Sequence, residues 1–583
     1  MRRNGKLLGA GVASASPVPA GRLPQAVGGP PQAVGGPPQA VGEPPQAVGE
    51  PRDAVGEAPE FERGSSAPRS PEKAGSRDPV PWLIALAVFA AYVPISVFRY
   101  LRFDATSWDL GIFTEYVKQY AGLHAPVVDI RGAGVNLLGD HFHPIVALIA
   151  PFFRVFPSPV TLLVAQALLA AVSVVPVSRA AADRLGTGAG RAIGAAYGFS
   201  WGLQQMVNYD FHEIAFAVPL LAGSLSALVR GRTRAAVAWA LPMVFVKEDQ
   251  GFTVAAIGVI MAVVYREQIA GLFLAAWGLA WSFLAITVII PQLSQAHHYL
   301  YWSDGGAISP VGGHPSVAGL ISQVTAGSST KLPTLALILL PTAFIALRSP
   351  LALAAVPSLT LRFVGTNSSY WGTDWHYNAT VMPIVFIAAI DGIARIRAAR
   401  TAREGWAGGQ GWAGAPRAAG APRAAGARGA GRAVEGRAVE GGRGGDAGGP
   451  TRLGVALERH GAAAMLAIAA ALAFQFPLSE LWNPQTYTIG QHVAAARAAM
   501  ARVPDGAQVA TDLDLLAPLA ARTDTYWLGN SATNPATKYV VFDTASTDWQ
   551  PPPTNVLTFI ESLNHGVRYR QIYVDHGVYV FVR

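Results

Sequence analysis

The sequence predicts an all-α polytopic membrane protein that ends in a small extracytoplasmic α/β domain. Three observations lead there. Of 583 residues, 51% are hydrophobic and only 14% are charged, where a soluble chain would carry about 25% charged residues. The apolar residues bunch into runs near the ~20 residues that cross a bilayer. Arginine clusters then recur on alternate loops, as the bias of cytoplasmic loops toward basic residues demands. The net charge of +8 therefore reads as topology rather than as a nucleic-acid footprint, and no nucleic-acid partner is expected. There is no cysteine, which excludes disulfides and thiolate metal sites.

Residues 1–79 hold no apolar core. From Pro24 they repeat PQAVGGP and PQAVGEP, and a proline in every seven-residue unit rules out a coiled coil. Such composition predicts a disordered tail on the cytoplasmic side. The transmembrane core is expected over 80–396, opening with a span at 80–98. Residues 108–120 place Trp108, Ile112, Phe113 and Tyr116 at helical spacing, which predicts an amphipathic helix at the membrane interface. Residues 143–156 are apolar but broken by Pro144 and Pro151, and read as a re-entrant segment. Further spans are expected at 160–177, 192–207, 214–229, 235–246, 252–265, 270–291, 332–347, 351–364 and 379–396. A low-complexity Arg/Gly/Ala tract over 397–455 reads as a cytoplasmic loop, and the last span follows within 456–476. The total is about eleven spans by the bilayer-length criterion. Residues 477–583 lack a span. Helical periodicity at 489–503 and 556–563, with alternation at 507–511, 538–543 and 566–582, predicts the α/β domain. The topology places that domain outside the plasma membrane.

The polar residues sort onto one face. Asp109, Asp140, His141, His143, Asp210, His212, Glu213, Lys247, Glu248, Asp249, Asp374 and His376 all fall on loops opposite the arginine clusters. Ionisable groups at membrane depth are costly and mark function unless they meet water or a partner. Asp109, Asp140 and Glu248 are the candidate catalytic carboxylates, able to take a proton from an acceptor hydroxyl. Asp109 also fits a first-turn acid favoured by the helix dipole. Lys247 is a candidate point charge for a phosphate. His141, His143, His212, Glu213, Asp374 and His376 complete the candidate substrate-binding set. Asp140, His141 and His143 offer metal-ligating atoms, but their spacing matches no standard zinc motif. A divalent metal stays open as a cofactor, with no ligand set assigned.

At WDLGIF, GDHFHP, DFHE, VKEDQG and WHYNATVMP, the chain resembles the bacterial membrane-protein family known as domain of unknown function 2079. Its tail, VPDGAQVATDLDLLAPLAARTDTYWL with KYVVFD, resembles that family's usual ending. The family commonly has a histidine near LLAPLAAR, and none stands there here. More distantly the chain is similar to the GT-C glycosyltransferases. That resemblance implies many spans, an acidic residue in the first extracytoplasmic loop, a membrane lipid partner and a polyprenyl-phosphate sugar donor. It puts Asp109 in the place of the catalytic carboxylate and Lys247 near the lipid phosphate. The second acid usual in that loop is absent, since Leu110 follows Asp109. The expected activity is sugar transfer to an extracytoplasmic acceptor. The alternatives are a non-catalytic solute- or ion-binding or transport protein, and an envelope assembly scaffold.

Overall fold

The computed structural model describes residues 78–105, 107–302, 317–409, 452–531 and 533–583. The repeat at 1–77 and most of the Arg/Gly/Ala tract, 410–451, lie outside them. The fold is mostly helical, with one five-stranded sheet near the C-terminus. Among the described residues, five helices are long and apolar enough to cross a membrane: Val80–Leu101, Pro159–Leu185, Gln268–Leu293, His376–Ala402 and Gly454–Ala473. Five shorter apolar helices accompany them: Pro144–Val155, Glu213–Val229, Thr233–Phe245, Gln250–Val263 and Pro350–Val364. The expected count of eleven full spans is thus not what the helices show. Proline and glycine cut several apolar runs below bilayer length, as at Pro350 and Pro357, where the chain passes from a 3-10 segment into a helix. The expected loop at 397–455 also begins late and ends early. The helix entering it runs to Gly409, and the next starts at Arg452.

Glycines set the closest helix contact. Helices Gln250–Val263 and Gln268–Leu293 approach so nearly that a Cβ on Gly251 would meet the Gly278 backbone, and one on Gly258 would meet that of Gly271. Only a residue without a side chain permits this spacing. It fixes the helix that begins just after Lys247, Glu248 and Asp249.

Helix α1 (Val80–Leu101) is followed by α2 (Trp108–Ala121). Helix α2, expected at the membrane interface, is covered by protein on all sides over most of its length. Leu110 through Val117 are all buried, because the C-terminal region covers its outer side. Gly111 packs against Leu516 and Ala517. The Trp108 and Trp527 rings meet edge to face with centroids 4.8 Å apart. Lys118 Nζ donates to the Thr523 carbonyl at 2.6 Å, and Asn530 Nδ2 donates to the Ile130 carbonyl at 3.2 Å.

That C-terminal region is built on strands β1 (Gln508–Thr511), β2 (Asp524–Trp527), β3 (Tyr539–Asp543), β4 (Arg570–Asp575) and β5 (Val578–Val582). Their order is β2-β1-β3-β5-β4. β1 runs parallel to β2 and β3, while β5 runs antiparallel to β3 and β4. The run at 566–582 is not one strand. His576 and Gly577 both adopt positive φ, the backbone of a two-residue hairpin turn whose twist suits the flanking strands.

Below α2, Glu115 is 1% exposed and accepts a hydrogen bond from the Ile130 amide at 3.2 Å. Burial pushes its pKa up to about 8, from 4.5. Between those values the unfolded chain has lost the proton and the folded one keeps it, so stability falls as pH rises. Glu115→Gln mimics the neutral acid. The substitution is expected to raise the melting temperature near pH 8 and to change it little near pH 4.5. An equal effect at both pH values would contradict the assignment.

Candidate active site

Four chain segments are brought to one place by buried hydrogen bonds. Gln166, on the Pro159–Leu185 span, is fully buried. Its Nε2 donates to the carbonyls of Met206 at 3.0 Å and Asp210 at 2.6 Å, and its Oε1 accepts from the His212 amide at 3.1 Å. One side chain thereby fixes the turn that carries Asp210, His212 and Glu213. Asp210 in turn accepts from the Leu110 amide at 3.3 Å, which ties that turn to the first residues of α2. On the other side, Arg362 donates to the carbonyls of Tyr370 and Tyr377 and to Asn378 Oδ1 at 2.9–3.2 Å. It holds the loop that ends in His376.

These segments enclose a cavity of about 340 Å3. Asp109, Asp140, His141, His143, His212, Glu213, Lys247, Glu248 and His376 all line it. Asp374 does not, because it points into solvent beside Thr373. The cavity is also lined by Arg131, Arg362, Asp249, Tyr209, Tyr299, Tyr301, Tyr370 and Tyr377. Of these, Arg362 carried a readable signal, a charge near the end of an apolar run. The tyrosines carried none, since isolated tyrosines are common at membrane interfaces.

The carboxylates divide by environment. Arg131 binds Asp140 at 2.9 Å. Burial works against the charge on Asp140, yet Arg131, with His141 and His143 nearby, holds its pKa below the usual value. Glu248 accepts from Tyr299 at 2.8 Å and from the Phe142 amide at 3.0 Å, and pairs with His141 Nδ1 at 2.6 Å. Burial again opposes ionisation, but His141 and Lys247 bring its pKa down to about 2. Lys247 lies 3.3 Å from Glu213. Burial disfavours the ammonium, and Glu213, Glu248 and Asp249 more than offset this, so its pKa stands well above the ordinary value. Asp109 carries no comparable ion pair. Burial pushes its pKa up against the pull of His212. His143, by contrast, is held neutral, with burial bringing its pKa down to about 4, and it contacts the Tyr116 hydroxyl at 3.1 Å.

The metal reading of the Asp140, His141 and His143 cluster does not fit this geometry, because Arg131, Glu248 and Tyr116 already engage those side chains. Among the described residues, the atoms placed to share an ion belong instead to Asp109, His212 and His376, all within 4.8 Å of one another. Glu248, for its part, has the surroundings of a structural pillar. A depressed pKa means that its contribution to stability is present above 4.5 and is lost as pH falls toward about 2. Glu248→Gln should cost about 1.5–3 kcal/mol near neutral pH, the usual worth of hydrogen bonds to a charged group, and should flatten the acid side of the stability profile. Unchanged melting temperatures would contradict this.

Comparison with known proteins places the chain. A family model described as "Predicted membrane protein (DUF2079)" matches residues 99–408. Among solved structures, ArnT from Cupriavidus metallidurans bound to undecaprenyl phosphate is similar at 13% identity and TM-score 0.48, over 86% of this chain and 98% of that one. The apo form of ArnT gives 13% identity and TM-score 0.47, over 86% and 97%. Arabinosyltransferase EmbB from Mycobacterium smegmatis gives 15% and TM-score 0.34, over 57% and 31%. No curated protein matches. With more than half of its length covered by the family model, the chain belongs to the DUF2079 family of predicted membrane proteins.

Proposed function

We propose that the protein is a membrane glycosyltransferase that moves a sugar from a polyprenyl-phosphate donor to an acceptor outside the cytoplasm. The observation that carries this reading is the composite cavity, where the Asp109 carboxylate, which forms no salt bridge among the described residues, shares one space with Lys247, Arg131 and Arg362. Its size falls at the lower end of ordinary ligand pockets. Its tyrosines offer both apolar faces and hydroxyls, which suit a sugar. In the proposed reaction the acceptor oxygen attacks the anomeric carbon. The bond from that carbon to the phosphate oxygen breaks, the phosphate leaves with the electron pair, and Asp109 takes the acceptor proton. Lys247 and the two arginines meet the charge on the phosphate. Asp140 and Glu248 serve as structural partners of Arg131 and His141, so the catalytic role rests with Asp109.

The orientation is part of the proposal. Arg191 pairs with Asp78 at the start of α1, and Arg230 pairs with Asp183. At the other end of α1, Arg102 donates to the Gln485 carbonyl. A helix of this length spans ~33 Å at 1.5 Å per residue, about the bilayer core. The arginine-rich turns and the C-terminal sheet region thus belong at opposite ends of α1, and positive-inside bias assigns the arginine end to the cytoplasm.

Two experiments test this. The natural chain has no cysteine, so single cysteines are clean probes. Asn530 is tied to Ile130, which makes the exposed Ser562 the better position. Ser562→Cys should react with an impermeant thiol reagent in intact cells, and Thr187→Cys should be protected; the reverse pattern overturns the orientation. For the chemistry, purified protein in lipid is assayed with polyprenyl-phosphate sugars. Asp109→Asn should bind donor and lose ~10²–10⁴-fold in turnover. Lys247→Gln should weaken donor binding more than it slows transfer. Normal turnover by the Asn variant, or no donor binding by the unmodified protein, removes the mechanism.

A further inference from the structure

We infer that Asp109, His212 and His376 hold a divalent cation of the zinc class. The three residues come from separate segments: the first turn of α2, the turn after Tyr209, and the start of the His376–Ala402 span. Their ligating atoms nonetheless lie within 4.8 Å of one another. Each segment is also held by other contacts: Asp210 for α2, Gln166 for His212, and Arg362 for the residues after His376.

Three further observations point to an ion. His376 is 2% exposed, yet neither of its ring nitrogens has a hydrogen-bond partner. A buried imidazole left so is costly, and coordination would satisfy it. The His376 ring stacks on that of His212, with centroids 3.6 Å apart and 23° between the planes, so that shared coordination, which needs the ion in both ring planes, turns one imidazole out of the stack. His212 Nδ1 accepts from the Ile214 amide at 3.4 Å and lies 2.8 Å from Glu213 Oε2, which leaves Nε2 as the nitrogen facing the site. A carboxylate beside a histidine is a common neighbour of a metal ligand. Last, five carboxylates line the cavity (Asp109, Asp140, Glu213, Glu248 and Asp249) against three fixed cations (Arg131, Lys247 and Arg362). A divalent ion would offset that excess of acidic groups.

Two imidazoles and one carboxylate select zinc, cobalt or a similar metal over magnesium or calcium, which prefer oxygen ligands throughout. Three protein ligands beside a cavity leave a position open to a bound molecule, unlike a closed structural site. One oxygen of Asp109 suffices as ligand and the other can still face an acceptor. The site stands on its own geometry, and does not depend on the transfer reaction.

The test uses the full-length protein in lipid, stripped with a chelator and then titrated with Zn2+ or Co2+. The expected result is one tightly bound ion per chain and, with Co2+, visible absorption bands of low-symmetry nitrogen and oxygen coordination. Glu213→Gln should weaken binding ~10–100-fold, the usual effect of losing a ligand's supporting carboxylate. His376→Asn and His212→Asn should weaken it further, with melting temperatures recorded to show that they fold. Replacing the exposed pair His297 and His298 by alanine should change nothing. Absence of a bound ion in the unmodified protein overturns the proposal, as does binding that is lost with the exposed pair and kept in His376→Asn. Because metal content and cobalt spectra are read without any sugar donor, a failure of glycosyl transfer leaves this result separately legible.

Discussion

Gln166 is the side chain on which the cavity depends. It sits within an apolar span, where an amide without partners would cost about 1–3 kcal/mol for each unsatisfied group. The structure meets that demand by bending the chain after Tyr209, so that the Met206 and Asp210 carbonyls and the His212 amide face the amide. The turn so formed delivers Asp210 to α2 and sends His212 and Glu213 toward the cavity. A single buried polar group therefore places parts of both walls.

The charges within the cavity are arranged in the same manner. Arg131 with Asp140, His141 with Glu248, and Lys247 with Glu213 are each paired. Breaking a buried pair leaves a charge without a partner, which costs more than the pair itself contributes. The pairs wall a space that also holds Asp109, which forms no salt bridge among the described residues, and His376, whose ring nitrogens have no hydrogen-bond partner there. A buried polar group without a partner is where a ligand adds most.

Much of the fold was readable from the sequence. Long apolar runs broken by polar loops marked the membrane core. WDLGIF, DFHE, VKED and WHYN gave residues that meet in the cavity, since a charge beside an apolar run has few other uses. Asp374 was misplaced because it lies two residues from His376, and a 3-10 turn at His376–Asn378 lets one face inward while the other meets solvent. Gln166 could not be singled out, because one amide in a long span looks like a tolerated polar residue until its partners are known. Hydropathy measures apolar length, while proline and glycine decide whether that length is one helix, so the helices do not map one to one onto the apolar runs. Strand β2 is four residues long and begins with Asp524, too short to show alternation.

The central claim is that one cavity takes the lipid phosphate beside Asp109. An experimental structure of the protein in lipid with a bound polyprenyl phosphate tests it most directly. The account predicts the phosphate within reach of Lys247, with Asp109 facing the same space. A phosphate seated instead in the groove of Arg397, Arg400 and Arg459, with the cavity free of lipid, would contradict it.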